Sequence, residues 1–170
     1  MKHIILNLSL FSSFVFLASC QQNERYEDSK FILKAADAGM LEVKLGKLAA
    51  GHASSNKIRA LGKHMASDHS KANAELLALA EEKRLKLPTL LSEKSTHIYD
   101  SLATKKGAEF DQEYAALMVK DHKKVIEEFK EEAAYGKDPE LKEWASQKIP
   151  VLEHHLQMSE SSLEGLEAMK

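Results

Sequence analysis

Apolar residues recur every three to four positions in four long stretches of the chain, which is the spacing of amphipathic helices. Residues that start and stop helices bound these stretches. Asp28 is expected to cap the first helix and Gly51 to end it, and Asp138-Pro139-Glu140 combines an N-cap with a proline in the first turn. The pattern predicts four helices, over about residues 29–50, 55–84, 108–135 and 139–168.

The connections between these helices are unequal in length. The first and second helices, and the third and fourth, are separated by only a few residues, so each pair is predicted to form an antiparallel hairpin. Residues 85–106 separate the hairpins and contain Pro88 and a short amphipathic piece over 90–102. This length lets the chain cross the bundle from end to end. The prediction is an all-α, ferritin-like up-down four-helix bundle with one long crossover between helices 2 and 3.

The first twenty residues have the layout of a secretion signal. Met1-Lys2-His3 is a short basic start, and residues 4–18 are mostly apolar but too few for a comfortable membrane span. The sequence Leu17-Ala18-Ser19-Cys20 resembles the bacterial lipobox, in which the cysteine becomes the lipidated N-terminus. We therefore expect a lipoprotein signal peptide at 1–20, a tether at 21–27 and one bundle domain at 28–170.

Lipidation at Cys20 predicts attachment to a membrane of the cell envelope, with the domain outside the cytoplasm. Because no aspartate follows the cysteine, Gln21 favours the periplasmic face or surface of the outer membrane, although the inner membrane stays open. Cys20 is the single cysteine, so no internal disulfide is possible and lipidation gives it a role.

Composition limits the classes of function. Without Lys2, the chain has 23 basic and 26 acidic residues with interspersed signs, which gives nucleic-acid binding no electrostatic support. The chain shows no pairing of nucleophile and base, no phosphate loop and no cofactor motif, so an enzyme is the less favoured class. An envelope protein partner is a further expectation, and the oligomeric state is left open.

Four polar residues interrupt the apolar stripes, one on each predicted helix. They are Glu42, His69, His122 and His155, each about 14 to 17 residues from the start of its helix. At 1.5 Å of rise per residue they should meet near the middle of the bundle. Burying them without partners is costly, so they should either bind one divalent transition metal ion or satisfy each other by hydrogen bonds.

Neighbouring residues add weaker expectations. Asp68 and Asp121 each precede one of these histidines and are predicted to orient the rings or bond a neighbouring helix, with an exposed ion pair as the plain alternative. Met65 and Met118 lie one turn before a histidine; thioethers suit copper, but methionines on an apolar stripe favour ordinary core packing. Tyr114 is predicted to be a core aromatic without chemistry.

The chain resembles the bacterial family called domain of unknown function 4142, which is grouped with the ferritin-like folds. The resemblance runs from about Phe31 to Leu156, and its matching stretches are Ala38 to Gly46, Met65-x-x-Asp68-His69-Ser70-Lys71-Ala72-Asn73, Gly107 to Asp111, Met118 to His122, Asp138 to Lys142 and Leu152-x-x-His155. The resemblance implies a fold and a location but no established activity.

The chain departs from di-iron ferritins, which place a Glu-x-x-His pair on each of two helices. Ala66, Val119 and Leu152 stand three residues before the three histidines, so most of the bridging carboxylates that a di-iron centre needs are missing. Two functions remain. One is a structural or interaction lipoprotein whose Glu/His layer fixes helix register, and the other is a binding protein for one zinc, copper or iron ion.

Overall fold

The computed structural model describes residues 14–168, with side chains from Glu27 onward. In that range it contains helices and no strand, so the predicted all-helical bundle is confirmed, while the ferritin-like topology stays a prediction. The helices are α1 (Phe14–His52), α2 (Asn56–Glu82), α3 (Glu93–Ala103), α4 (Gly107–Tyr135) and α5 (Pro139–Glu167). The short helix α3 is the amphipathic piece expected within the crossover.

The start of α1 differs from the prediction. The helix begins at Phe14, and Asp28 lies inside it instead of capping it. The Asp28 carboxylate accepts hydrogen bonds from the backbone N–H groups of Lys137 at 3.1 Å and Asp138 at 2.9 Å. Its capping capacity therefore serves the turn between α4 and α5. By contrast, the predicted cap of α5 is confirmed, because Asp138 accepts from the N–H groups of Glu140 and Leu141.

Part of the predicted signal peptide lies outside the described residues. Residues 1–13 are not described, and neither is the side chain of Cys20. The predicted tether, residues 21–27, is helical and continuous with the rest of α1. None of the helices among residues 14–168 is long and apolar enough to cross a membrane.

The molecule consists of two hairpins whose turns lie at opposite ends of the bundle. Helix α1 packs along α2, and α4 packs along α5. At one end, Asp111 near the start of α4 bonds the turn between α1 and α2. At the other end, Lys83 after α2 pairs with Asp138 at 2.6 Å. Helices α2 and α4 therefore run in the same direction, and the segment between them crosses the length of the bundle.

The α1–α2 hairpin is closely packed because glycines face each other. A Cβ atom added to Gly46 would lie 2.6 Å from the carbonyl oxygen of Gly62, and the reverse substitution gives the same distance. Any side chain at either position would push the two backbones apart. This contact explains why the stretch Ala38 to Gly46 ends in a glycine.

Three histidines divide the hydrophobic core into two parts. Toward the α1–α2 turn lies a cluster built around Leu45, Met65 and Met118, which are each 0% exposed. Toward the α4–α5 turn, two smaller clusters form around Leu76 and Ile126. In the sequence of each helix, His69 lies between Met65 and Leu76, and His122 lies between Met118 and Ile126. The polar layer therefore crosses an otherwise apolar interior.

Candidate metal centre

Three helices each bring one imidazole to the centre of the bundle. One ring nitrogen from each of His69 on α2, His122 on α4 and His155 on α5 lies within 4.8 Å of the other two. The ring centroids are 5.7 Å apart for His69 and His122, 5.3 Å for His69 and His155, and 5.4 Å for His122 and His155. Helical periodicity causes this convergence, because each histidine occupies the inward face of its helix.

Each of the three rings has one buried nitrogen without a described partner. His122 and His155 are 2% and 1% exposed, whereas the ring of His69 reaches the boundary with solvent. Nε2 of His69, Nε2 of His122 and Nδ1 of His155 are all inaccessible, and no described group bonds them. Buried nitrogens without hydrogen-bond partners are uncommon in folded proteins, and a water molecule or a metal ion that pairs with them is a common reason for their presence.

Two of the three rings are held in a defined tautomer. Nδ1 of His122 lies 2.9 Å from the carbonyl oxygen of Met118, which can only accept, so Nδ1 carries the hydrogen and Nε2 presents a lone pair. Nε2 of His155 lies 3.2 Å from Oδ2 of Asp68. The carboxylate accepts that hydrogen and leaves Nδ1 of His155 as the lone-pair atom. The two buried lone pairs therefore face the same small space.

Burial keeps these rings neutral. Desolvation and the neighbouring histidines lower the pKa of His69 to about 3. Desolvation, followed by the proximity of His155, lowers the pKa of His122 to about 4. Burial also lowers the pKa of His155, although the hydrogen bond to Asp68 opposes this shift. Neutral imidazole is the form that coordinates metal ions, so the cluster is ready to act as a ligand set near neutral pH.

A family model described as "Domain of unknown function (DUF4142)" matches residues 17–161. The chain belongs to the DUF4142 family. This match confirms the resemblance drawn from the sequence, and it includes all three histidines. No curated protein and no solved structure matches the chain.

Glu42, the fourth predicted ligand, does not join the histidines in this DUF4142 protein. The group of side chains whose ligand atoms lie within 4.8 Å of one another contains the three imidazoles and no carboxylate. Glu42 is nevertheless buried, and its Oε2 has no described partner. Desolvation, reinforced by the charge of Asp121, raises the pKa of Glu42 to about 8. Its role as a ligand stays a prediction.

Sequence reasoning missed a second polar group beside Glu42. Tyr114 is a core aromatic as predicted, fully buried and stacked on Phe110 at 6.0 Å between ring centroids. Its hydroxyl group is also buried without a described partner. Burial, followed by the charge of Glu42, raises the pKa of Tyr114 well above its usual value. The available signal was its spacing, because Tyr114 precedes His122 by eight residues on the same helical stripe.

The two aspartates before the histidines have different surroundings. Asp68 contacts His155 on a neighbouring helix and also pairs with Lys71 at 3.1 Å. Partial burial acts to raise its pKa, but the bonds from Lys71 and His155 outweigh this effect and lower it. Asp121 makes no hydrogen bond to a histidine among the described side chains, and burial raises its pKa. Of the two, Asp68 is therefore the one in contact with a histidine ring.

Proposed function

We propose that this DUF4142 protein is a cell-envelope lipoprotein whose helical bundle binds one divalent transition metal ion. The ligands are His69, His122 and His155. Two observations carry the proposal: one ring nitrogen from each histidine lies within 4.8 Å of the other two, and each ring has a buried nitrogen without a described hydrogen-bond partner. Leaving such groups unpaired costs free energy, and a bound ion would remove that cost.

Hydrogen bonds among the three histidines cannot remove the free-energy cost of all the unpaired nitrogens. The partners of His122 and His155 fix lone pairs on both inward nitrogens, and two lone pairs cannot bond each other. At most, His69 could donate to one of them. A divalent ion, in contrast, accepts electron pairs from all three nitrogens at once. Zinc, copper and iron all accept imidazole ligands, so the donor set defines this class of ion and not one member.

The geometry requires only a small contraction on binding. Ligands at 2.0–2.1 Å from a tetrahedral zinc ion are separated by about 3.3 Å. The three nitrogens lie within 4.8 Å of each other, so adjustments of the ring torsions would close the site. The partial exposure of His69 supports this ring as the one that moves most easily.

The anchor is supported by the first twenty residues alone. The apolar stretch before Cys20, together with a single cysteine in the chain, fits a lipid-accepting residue. The test is fractionation of cells that express the full chain. The native protein is expected in the membrane fraction, and Cys20→Ser is expected in the soluble extracytoplasmic fraction or as unprocessed precursor. If the native protein is soluble without detergent, the anchor is wrong.

Metal binding is tested by elemental analysis of the full chain, purified in detergent without refolding or chelators. We expect close to one equivalent of a transition metal and its loss in His69→Ala, with helical content checked by circular dichroism. His97→Ala is the matched control, because His97 is an exposed histidine on α3. A native protein that stays metal-free after incubation with zinc, copper and iron contradicts the proposal.

The same sample distinguishes a purely structural layer. A chelator should lower the melting temperature of the native protein if the ion binds the folded state, because ligand binding stabilises the fold by mass action. An unchanged melting temperature, combined with a lower one for Glu42→Ala, would favour a structural or interaction module. In that case the outer faces of the bundle would be the place to search for an envelope partner.

A further inference from the structure

We propose that the bound ion keeps one coordination position for a small anion from solution. This inference rests on the metal site proposed above and concerns what that site does. Among the described His, Cys, Asp and Glu side chains, the group whose ligand atoms lie within 4.8 Å of one another supplies only three donors, one nitrogen from each histidine. A zinc-type ion takes at least four ligands, and sites with three protein ligands use the fourth position for water or substrate.

The charge of the site favours an anion at that position. Three neutral imidazoles leave the full double positive charge of the ion inside the bundle. Asp68, whose Oδ2 lies 3.2 Å from Nε2 of His155, contributes one negative charge, but this carboxylate is also paired with Lys71 at 3.1 Å, so it offsets the charge of the ion only in part. A net positive charge in a low-dielectric interior is costly, so a monovalent anion in the fourth position lowers the free energy of the site.

The surroundings restrict the size of that ligand. His122 and His155 are almost fully buried, and all three donor nitrogens are inaccessible to solvent. Only the ring of His69 reaches the boundary with solvent, so this side offers the shortest route to the ion. A ligand that enters past one imidazole must be small. The expected class is a triatomic or smaller anion, for which azide is a convenient probe.

The experiment uses the full chain with its metal replaced by Co²⁺, whose visible absorption reports changes in coordination. Addition of azide is expected to change this spectrum saturably, with one azide bound per cobalt ion. If cobalt binds but azide leaves the spectrum unchanged at every concentration, the inference is wrong while the metal site stands. If cobalt does not bind at all, the failure belongs to the proposed metal site.

Glu42 provides the decisive comparison, because it is the buried carboxylate on the remaining long helix. If the anion position is open, Glu42→Gln is expected to leave both the cobalt spectrum and the azide response unchanged. If Glu42 moves in as the fourth ligand, the variant will have an altered spectrum and will respond to azide where the native protein does not. That second result would overturn the inference and would confirm Glu42 as a ligand.

Discussion

Asp111 and His122 lie on the same face of α4, and both are almost completely buried. Their bonding differs sharply. The carboxylate of Asp111 accepts from the backbone N–H groups of Ser54 at 3.0 Å and Ser55 at 2.7 Å, and also from the hydroxyl of Ser54. Nε2 of His122 has no described partner at all. Burial alone therefore does not distinguish a structural polar group from a binding group, but bonding does.

The bonding of Asp111 recurs at the opposite end of the bundle. Asp28 accepts from the backbone N–H groups of Lys137 and Asp138 in the α4–α5 turn. Asp37 similarly accepts from Ser92 and Ser95 at the start of α3. Aspartates therefore attach the turns and the crossover to the bundle, whereas in the histidine layer the one described bond to another helix joins His155 to Asp68.

The largest expected effect is the loss of Asp111. Asp111→Ala leaves two backbone N–H groups and one hydroxyl without their acceptor, and we expect the free energy of unfolding to fall by about 4 kcal/mol. Urea denaturation of the metal-free protein measures this change. Asp100→Ala is the matched control, because Asp100 is exposed on α3, and it should change stability little. A loss below about 1 kcal/mol for Asp111→Ala would contradict the structural role assigned to this carboxylate.

The next effect is a pH dependence caused by Glu42, whose pKa is raised to about 8 by desolvation and by Asp121. Below the ordinary pKa of 4.5, Glu42 is protonated in both states and its contribution to stability is intact. Between 4.5 and about 8, the unfolded chain loses this proton while the folded chain keeps it. Stability contributed by Glu42 therefore decreases as pH rises through this window, by on the order of 3 kcal/mol.

Glu42→Gln removes that titration, so its stability relative to the native protein should increase between pH 5 and pH 8. Urea denaturation of both proteins in chelator, across this range, gives the difference. Glu132 also titrates in this range, because burial, Asp28 and Asp138 raise its pKa to about 7. Both proteins contain Glu132, so its contribution to the pH dependence cancels in the comparison. A constant difference between the two proteins across this range would show that Glu42 is solvated in the folded state.

The sequence predicted the helices well because their signals are local. Apolar periodicity and the cap at Asp138 gave the bounds of α2, α4 and α5 to within about two residues. The predicted start of α1 was wrong because the carboxylate of Asp28 bonds a turn that is more than a hundred residues away in the sequence. A local pattern holds no information about such a partner.

The candidate site shows the same limit. A fixed rise per residue places residues at equal heights, and the structure does bring His69, His122 and His155 together. Height does not define the sideways position of a side chain. Glu42 instead lies in the electrostatic environment of Tyr114 and Asp121 on α4. The hydrogen bonds that orient the rings of His122 and His155 also depend on side-chain torsions, which periodicity does not determine.

A smaller effect is expected from the contact between Asp68 and His155. The carboxylate holds Nε2 of this ring and directs Nδ1 toward the other two histidines. Asp68→Ala should therefore weaken metal affinity about 10- to 100-fold without abolishing it. Competition with a chromophoric chelator measures the change. Asp68→Asn retains an acceptor, so its metal affinity should lie between that of the native protein and that of Asp68→Ala. An unchanged affinity in both variants would show that the contact does not contribute to binding.

The smallest effect is also the one that separates the two kinds of buried polar group most directly. His122→Leu replaces a ring that has an unpaired nitrogen with an apolar side chain of similar size. In the metal-free protein this change should leave stability equal or raise it by about 1 kcal/mol, because no bond essential to packing is lost. Urea denaturation in chelator measures the change, and added metal should stabilise only the native protein.

The opposite sign would reverse the interpretation of the histidine layer. If His122→Leu destabilises the metal-free fold by about 2 kcal/mol or more, the ring has a structural function comparable to that of Asp111. The bond from Nδ1 to the carbonyl oxygen of Met118 does not account for a destabilisation of this size, because it joins two residues of one helix. A neutral or stabilising result means that the chain retains a costly group in its core, and binding an ion is the physical reason to do so.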